Sequence, residues 1–261
     1  MNSRLCRCLM LGALILAMSC LITRFAYAAK QEDDSSSSWE GFYAGLHAGY
    51  GWGDADTHIN PLPNASSFIN LIPTILDPDM AGALAGGQAG YNWQRQALVF
   101  GVETDFSGSG MTGSETQSPI TQNNGTPMPG AGNYTRTHQD TDWFGTLRLR
   151  AGATPISKVL LYLTGGMAYG RVNYTANTDF RPGGTIEYPA ASRTTKVGWT
   201  AGAGAEIALN SRWSLKAEYL YYDLGRETLT AQPVPANPPF QIEYVWKTRA
   251  HTMNVGLNYK F

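Results

Sequence analysis

The sequence predicts an all-β protein, an eight-stranded antiparallel transmembrane up-and-down β-barrel that follows an N-terminal signal peptide. Three observations support this prediction. Eight segments alternate apolar and polar side chains with the period of two that is typical of strands. The connections between these segments alternate between short and long. Charged residues make up only 15% of the 261 residues, below the roughly 25% that is usual in soluble domains.

The N-terminus has the composition of a secretory signal. A positively charged start precedes an apolar stretch at 9–22, and Ala26-Tyr27-Ala28 supplies the small residues that a signal peptidase requires. The polar residues that follow include four consecutive serines, which favours a flexible tether. The predicted organisation is a signal peptide at 1–28, a periplasmic tether at 29–38 and a barrel domain at 39–261.

Each predicted strand has one apolar face. In the first segment, Phe42, Leu46 and Tyr50 share a face with small apolar residues between them. The later segments repeat this alternation, with glycine and polar or charged residues on the opposite face. In chain order, the eight predicted strands are 41–52, 82–93, 98–106, 143–153, 159–169, 197–209, 213–223 and 251–261.

The connections indicate a membrane barrel more than a soluble sandwich. Short turns near residues 95, 155–158 and 210–212 fall at one end of the predicted strands. Long, polar connections rich in proline and glycine fall at the other end, as they do in outer-membrane barrels. Four surface loops are therefore predicted, at 53–80, 107–140, 175–195 and 225–245.

The apolar face matches the thickness of an outer membrane. Aromatic residues are predicted to form two girdles around an aliphatic band. Phe42 and Tyr50 lie eight residues apart, which at a strand tilt of ~40° gives a band of about 20 Å. The predicted location is therefore the outer membrane of a Gram-negative bacterium, in contact with its lipid and lipopolysaccharide. Arg171, Lys247 and Arg249 are expected near the outer rim, where lipopolysaccharide phosphates lie.

The opposite face carries charges that are expected to balance in the lumen, because an unpaired charge is costly there. If Leu209 pairs with Trp213, Glu206 faces Lys216 directly. An eight-stranded barrel is just wide enough for side chains to fill. The hypothesis is a lumen closed by salt bridges, with Lys260 counted among its bases. The predicted network consists of Glu103, Asp105, Arg148, Arg150, Glu206, Lys216 and Glu218.

Several classes of function are excluded or disfavoured. The formal net charge of −1 gives no basic field for nucleic acid. All three cysteines lie in the first 20 residues, which excludes thiolate chemistry from the rest of the chain. The histidines fit no metal-binding or hydrolase motif. We therefore predict that the protein is not an enzyme and that it binds neither a metal ion nor a cofactor. An enzyme at the outer rim would have only His251 beside Asp142 or Asp223 to use.

The first long loop is unusually apolar over residues 68–76. This segment is interpreted as a short element that covers the mouth of the barrel. The alternative is a hydrophobic surface for a ligand or partner, such as haem with His58 or His138 as the axial ligand.

Four motifs resemble those of a known family. Residues 39–52 (WEGFYAGLHAGYGW), 86–94 (GGQAGYNWQ), 163–170 (LTGGMAYG) and 251–261 (HTMNVGLNYKF) look like the first, second, fifth and last strands of small alphaproteobacterial outer-membrane barrels. Members are called outer-membrane immunogenic, porin-family or haemin-binding proteins. The resemblance implies a surface-exposed protein of envelope integrity and host or symbiont contact. It also implies that Tyr259 and Phe261 form the signal that the barrel-assembly machinery reads.

The expected function is a non-enzymatic structural and surface-interaction role in the cell envelope. The alternatives are a small-solute porin and a haemin-binding surface protein.

Overall fold

The computed structural model describes residues 38–62, 72–120, 126, 132–180, 186–236 and 240–261. The predicted signal peptide and all but the last residue of the predicted tether lie outside these ranges. No helix among the described residues is long and apolar enough to cross a membrane. The strands are β1 (Gly41–Asp54), β2 (Thr57–Leu62), β3 (Ile75–Leu76), β4 (Asp79–Arg95), β5 (Leu98–Gln117), β6 (Tyr134–Ile156), β7 (Val159–Phe180), β8 (Ile186–Ala208), β9 (Trp213–Ala231) and β10 (Gln241–Lys260).

The strands close into a ring in the order β1-β4-β5-β6-β7-β8-β9-β10, and β10 pairs back onto β1. All of these pairings are antiparallel. β2 is the continuation of β1, because Asp54 pairs with Arg249 and Thr57 pairs with Trp246 in the same register. β3 continues β4 in the same way along β2. The ring therefore consists of eight continuous strands, and the predicted up-and-down barrel is confirmed.

The strands are much longer than the sequence predicts, and the length is added at one end. The predicted loops at 107–140, 175–195 and 225–245 are largely wrong, because most of their described residues belong to β5 to β10. The region 53–80 likewise contains β2 and β3. These extensions are rich in Thr, Ser and Asn, a composition that is typical of loops. They form strands because each pairs with a neighbour over its whole length or nearly so.

A β-bulge also interrupts the period-two pattern of one extension, in β6. The register of β6 against β7 shifts between Thr141 and Trp143. Trp143 lies on the outside against Phe106, with the two rings 5.3 Å apart, whereas Thr141 and Gln139 are buried inside. A bulge therefore moves the odd-numbered residues of β6 from the outer to the inner face. A period-two pattern read across this point loses its phase.

The outward face forms the apolar band that the sequence predicts. Leu46, Leu149 and Leu163 are each about 70% exposed, whereas Arg148 and Lys216 on the opposite face are 1% exposed. Aromatic rings pack against one another at both edges of the band, as Trp199 and Tyr221 do at 5.2 Å. Facing so much apolar surface outward is stable only when the surroundings are themselves apolar.

The interior has three layers of different chemistry, of which the lowest is a small hydrophobic cluster with Trp39 and Leu160 at the short-turn end. Polar and charged side chains fill the layer inside the apolar band. Above it, inside the strand extensions, lies a hydrophobic core that includes Ile59, Tyr174, Tyr244 and Trp246. Leu76, from the apolar segment at 68–76, is buried in this core, while residues 68–71 of that segment lie outside the described ranges.

Candidate functional site

Glu103 lies at the centre of the polar layer. Its Oε1 accepts hydrogen bonds from Arg148 at 2.6 Å and from Lys216 at 2.9 Å. Its Oε2 accepts from the hydroxyl of Tyr43 at 2.7 Å and lies 3.3 Å from Arg150 Nη1. Glu103 is directly opposite Arg148 in the β5–β6 ladder, so the strand register brings these two charges together. One carboxylate thus contacts three cations from β6 and β9.

Arg148 connects Glu103 to the other carboxylates. Its guanidinium lies 3.0 Å from Asp105 and 3.0 Å from Glu218. Its Nε donates to the hydroxyl of Thr146 at 2.8 Å. A planar guanidinium with five N–H donors suits this position, because each neighbour takes a different donor.

Glu206 faces Lys216 directly across the β8–β9 ladder, as the sequence predicts. The two charges nevertheless bond elsewhere. Glu206 accepts from Arg150 at 2.8 Å and from Asn258 at 2.8 Å, while Lys216 bonds to Glu103 and lies 3.7 Å from Glu218. Both side chains point into the lumen, where partners from non-adjacent strands are within reach. Register alone therefore does not determine the ion pairs.

Two tyrosines also belong to this network, although the sequence does not predict them there. Tyr162 donates to Glu218 at 2.8 Å, and the Arg150 guanidinium lies 4.1 Å from the centre of its ring. Tyr43 binds Glu103 and lies under the same guanidinium. Both residues occupy inward positions by simple alternation, so strand parity contained the signal. The girdle pattern predicts aromatic residues on the outer face, which conceals this signal.

One predicted base lies elsewhere. Lys260 is at the short-turn end of the barrel, where its ammonium contacts the backbone oxygen of Ser38. The network as described therefore contains four carboxylates and three cations, all at least 94% buried. Polar residues such as His47, Gln88 and Asn254 line the space beside it, and that space leaves no room for a water-sized sphere.

The two candidate haem ligands are not brought together. His58 lies on β2 and His138 on β6, separated in the ring by β3 with β4 and by β5. His138 Nε2 is 3.2 Å from Asp140 Oδ1. It also lines an open concavity of about 610 Å³ with Arg136, Tyr134 and five other residues. Each histidine is therefore a separate candidate.

The remaining rim residues fall into distinct environments. His251 stacks on Trp52 at 5.8 Å and bonds to the hydroxyl of Tyr219 through Nδ1 at 2.6 Å, so it belongs to the outer girdle. Among the described residues, no group of three His, Cys, Asp or Glu side chains is arranged to hold a metal ion. At the other end, Tyr259 packs edge-on against Phe261 at 5.3 Å.

The three cations predicted to meet lipopolysaccharide are also dispersed. Arg171 on β7 lies over the ring of Trp143 at 5.6 Å. Lys247 and Arg249 lie on β10, with β8 and β9 between them and β7. Arg249 pairs with Asp223 at 3.3 Å. Lys247 instead lies opposite another cation, Arg226 on β9.

Acidic residues cluster on the β1–β4 side of the rim. Asp54 pairs with Asp79 across the ladder, and Asp56 and Asp77 follow at the breaks between β1 and β2 and between β3 and β4. Partial burial, a side-chain hydrogen bond to Asp56 and the charges of Asp56, Asp54 and Asp79 raise the pKa of Asp77 to about 6. This rim therefore gains a proton below neutral pH.

Comparisons with known proteins agree with this architecture. A family model described as "Outer membrane protein beta-barrel domain" matches residues 13–261. The chain is 38% identical over 225 residues to a 31 kDa outer-membrane immunogenic protein of Brucella melitensis biotype 1, covering 86% of this chain and 84% of that protein. It is 28% identical over 192 residues to a 22 kDa outer membrane protein of Rhizobium leguminosarum bv. viciae, covering 72% and 65%. The outer membrane protein OprG of Pseudomonas aeruginosa has a similar fold, with a TM-score of 0.53 at 13% identity over 87% of this chain and 99% of that one.

Proposed function

Because this chain belongs to the outer membrane protein beta-barrel domain family, we propose that it is a non-enzymatic structural and surface-interaction protein whose lumen is closed by an ion network. The protein is an outer-membrane β-barrel with homologues named as immunogenic outer-membrane proteins. The closed lumen and the absence of catalysis are the parts that we propose.

The observation that carries the proposal is the position of Glu103. Its carboxylate contacts Arg148, Arg150 and Lys216 in the middle of the lumen, where all four residues are 1–3% exposed. A conducting path would have to separate several of these contacts together. Removing one partner of a buried ion pair typically costs about 3–5 kcal/mol, because the other charge is left without compensation. Opening of the lumen would leave several charges in that state, so we expect it to be rare. The alternative of a small-solute porin requires a water-filled path at this level.

Single-channel recording on refolded protein in planar bilayers tests closure. We expect no large, stable conductance from the unmodified protein, whose folded state is checked by heat-modifiable gel mobility. The double variant Glu103→Gln, Lys216→Gln weakens the centre of the network and is expected to produce frequent openings. Asp142→Asn, which removes an exposed charge on the outer wall, serves as the matched control. A large and stable conductance of the unmodified protein rejects the closed lumen and favours the porin.

Haemin binding is a second candidate because of the surroundings of His138. This histidine shares an open concavity with Arg136 and Tyr134, which together offer an axial ligand, a cation for a propionate and an aromatic surface. The test is a Soret shift on titration with haemin. The shift is expected to disappear in His138→Ala and to persist in His58→Ala. An unshifted Soret band at micromolar haemin ends this candidate.

Lipopolysaccharide is the partner that we propose for the outer rim. Arg226 and Lys247 lie directly opposite each other just beyond the outer girdle, where phosphates of the outer leaflet are expected. Like charges placed directly opposite in a ladder destabilise it, and an anion between them would relieve that repulsion. During biogenesis, the terminal Phe261 with Tyr259 is proposed to be read by the barrel-assembly machinery.

A further inference from the structure

The barrel wall is not closed by backbone pairing at every level. The β8–β9 ladder ends at the pair of Trp199 with Asp223. Above this pair, β8 continues along β7, and β9 continues along β10. Backbone hydrogen bonds between the two sides return only at the isolated bridge of Glu187 with Val234, at 2.8 and 2.9 Å. We call the unpaired stretch, residues 188–198 of β8 and 224–231 of β9, the seam; the structure describes all of these residues.

A bulge in β9 explains why the strands separate. Asp223 pairs with Arg249 and Arg226 pairs with Lys247, so Leu224 and Gly225 of β9 together oppose one residue of β10. Gly225 has a φ of +80°, which glycine adopts without strain. A bulge bends its strand and increases the local twist. The upper part of β9 therefore follows β10 and leaves β8.

Side chains bridge the seam where a ladder would otherwise continue. Lys196 Nζ donates to Glu227 Oε2 at 2.9 Å and to the backbone oxygen of Arg226 at 2.5 Å. Ser192 Oγ donates to Glu227 Oε1 at 3.2 Å. We call these three side chains, Ser192, Lys196 and Glu227, the latch. Separating the seam breaks these side-chain bonds and the apolar contacts behind them, whereas opening any complete ladder of the wall also breaks a row of backbone bonds.

An apolar and aromatic interior lies directly behind the seam. Tyr188 and Ala190 of β8 and Ala231 of β9 belong to the upper hydrophobic core. The ring of Trp246 lies 5.3 Å from that of Tyr174 and 5.7 Å from that of Tyr244. Two polar atoms of this interior, Trp246 Nε1 and Gln139 Oε1, are buried without a hydrogen-bond partner among the described residues. Fully buried polar groups are normally satisfied, so a donor and an acceptor are available to a guest.

We propose that the seam is a lateral entry for small amphipathic molecules, with an aromatic or alkyl body and one hydrogen-bonding group, into the upper hydrophobic core, whose packed side chains part to form the binding chamber. The latch holds this entry closed. Trp199 forms the last ladder pair and belongs to the outer girdle, so the entry opens at the outer boundary of the membrane. Amphipathic molecules concentrate at that boundary, as tyrosine and tryptophan side chains do. The ionic layer lies beneath the chamber, so the route is into a site and not through the membrane.

Cysteine labelling tests the entry, because the sequence has no cysteine after residue 20. Refolded full-length protein in which Cys6, Cys8 and Cys20 are replaced by serine and Ala190 by cysteine presents a single thiol behind the seam, and N-phenylmaleimide is the labelling reagent. Adding Lys196→Gln and Glu227→Gln is expected to speed labelling by about tenfold, as the loss of roughly one net hydrogen bond would. Arg249→Gln removes a cation that pairs with Asp223 on the β10 side of β9, and it is expected to leave the rate within about twofold. If Ala190→Cys does not fold, Ala231→Cys presents the thiol from the opposite edge.

A protection experiment tests the ligand class. p-Cresol, an apolar ring with one hydroxyl, is expected to slow labelling of Cys at position 190, and p-xylene, of the same shape without the hydroxyl, is expected to slow it less. A cysteine at Ala201 on the outward face controls for effects on the micelle and should label at an unchanged rate. Equal labelling rates with and without the latch overturn the lateral entry. Faster labelling without protection by p-cresol, or equal protection by both compounds, overturns the amphipathic ligand.

Discussion

Glu103 and Arg148 face each other across the β5–β6 ladder, with 2.6 Å between Oε1 and Nη2. Both are about 1% exposed. Two charges in this position have lost their hydration, and contacts with neighbouring side chains must compensate for that desolvation penalty. The same Glu103 carboxylate also forms ion pairs with Arg150 and Lys216. Its loss therefore affects three cations at once, just as the loss of Arg148 would affect three carboxylates.

We expect Glu103→Gln to destabilise the folded barrel by about 3–5 kcal/mol, the usual cost of removing one partner from a buried pair. The measurement is the urea midpoint of unfolding in micelles, followed by heat-modifiable gel mobility. Asp142→Asn is the control, because it breaks an ion pair in which Arg193 is 65% exposed, and such pairs contribute at most about 1 kcal/mol. Similar midpoints for the two variants would contradict a network centred on Glu103.

The sequence predicts the membrane portion of the fold well. Period-two patterns and girdle aromatics are constrained by lipid on one side and a narrow lumen on the other, so eight strands and the inward position of Glu103 follow from alternation alone. The strand extensions have no lipid to impose that contrast. Bulges such as the one between Thr141 and Trp143 also shift the phase within them. Glu206 and Lys216 face each other as the sequence predicts, yet they bond to Arg150 and Glu103, because lumen side chains reach partners on non-adjacent strands.

Asp77 gives the outer rim a pH dependence. Its folded pKa is raised to about 6 beside Asp56, above the ~3.9 of an unperturbed aspartate. A raised pKa favours the protonated form when folded, so the stabilising contribution is complete below about pH 4 and is lost as the pH rises through 6. The unmodified protein should therefore lose stability relative to Asp77→Asn between pH 4 and 7.

The measurement for Asp77 is the thermal unfolding midpoint at intervals from pH 4 to 8. Glu40→Gln removes an exposed carboxylate from the opposite end of the barrel and controls for the loss of one negative charge. A difference between the unmodified protein and Asp77→Asn that stays constant over this range would refute the coupling between Asp77 and Asp56.

Phe261 is expected to matter for assembly more than for stability. Its side chain is 80% exposed, so deleting it removes little packing. We expect the deletion variant to refold in micelles with a normal urea midpoint, yet to accumulate poorly in the outer membrane of cells. Tyr91→Ala, in another inner-girdle aromatic, is the matched control. Normal membrane levels of the deletion variant would show that the terminal aromatic is not the assembly signal.

Arg226 and Lys247 provide the sharpest test of a phosphate partner. The ladder places them directly opposite each other, whereas the nearby cations Lys196 and Arg249 have acidic partners. A phosphate group that bridged the two would relieve their repulsion and form charge-assisted hydrogen bonds, which are roughly twice as strong as neutral ones.

We expect Arg226→Gln with Lys247→Gln to weaken binding to vesicles that contain diphosphorylated lipid A by about tenfold, and this loss should shrink at high salt. Arg249→Gln should bind as the unmodified protein does, and vesicles of dephosphorylated lipid A should show no difference among the three proteins. If inorganic phosphate competes fully at millimolar concentration, the pair recognises the anion and not the lipid; if the double variant binds normally, the rim is only a solvated patch.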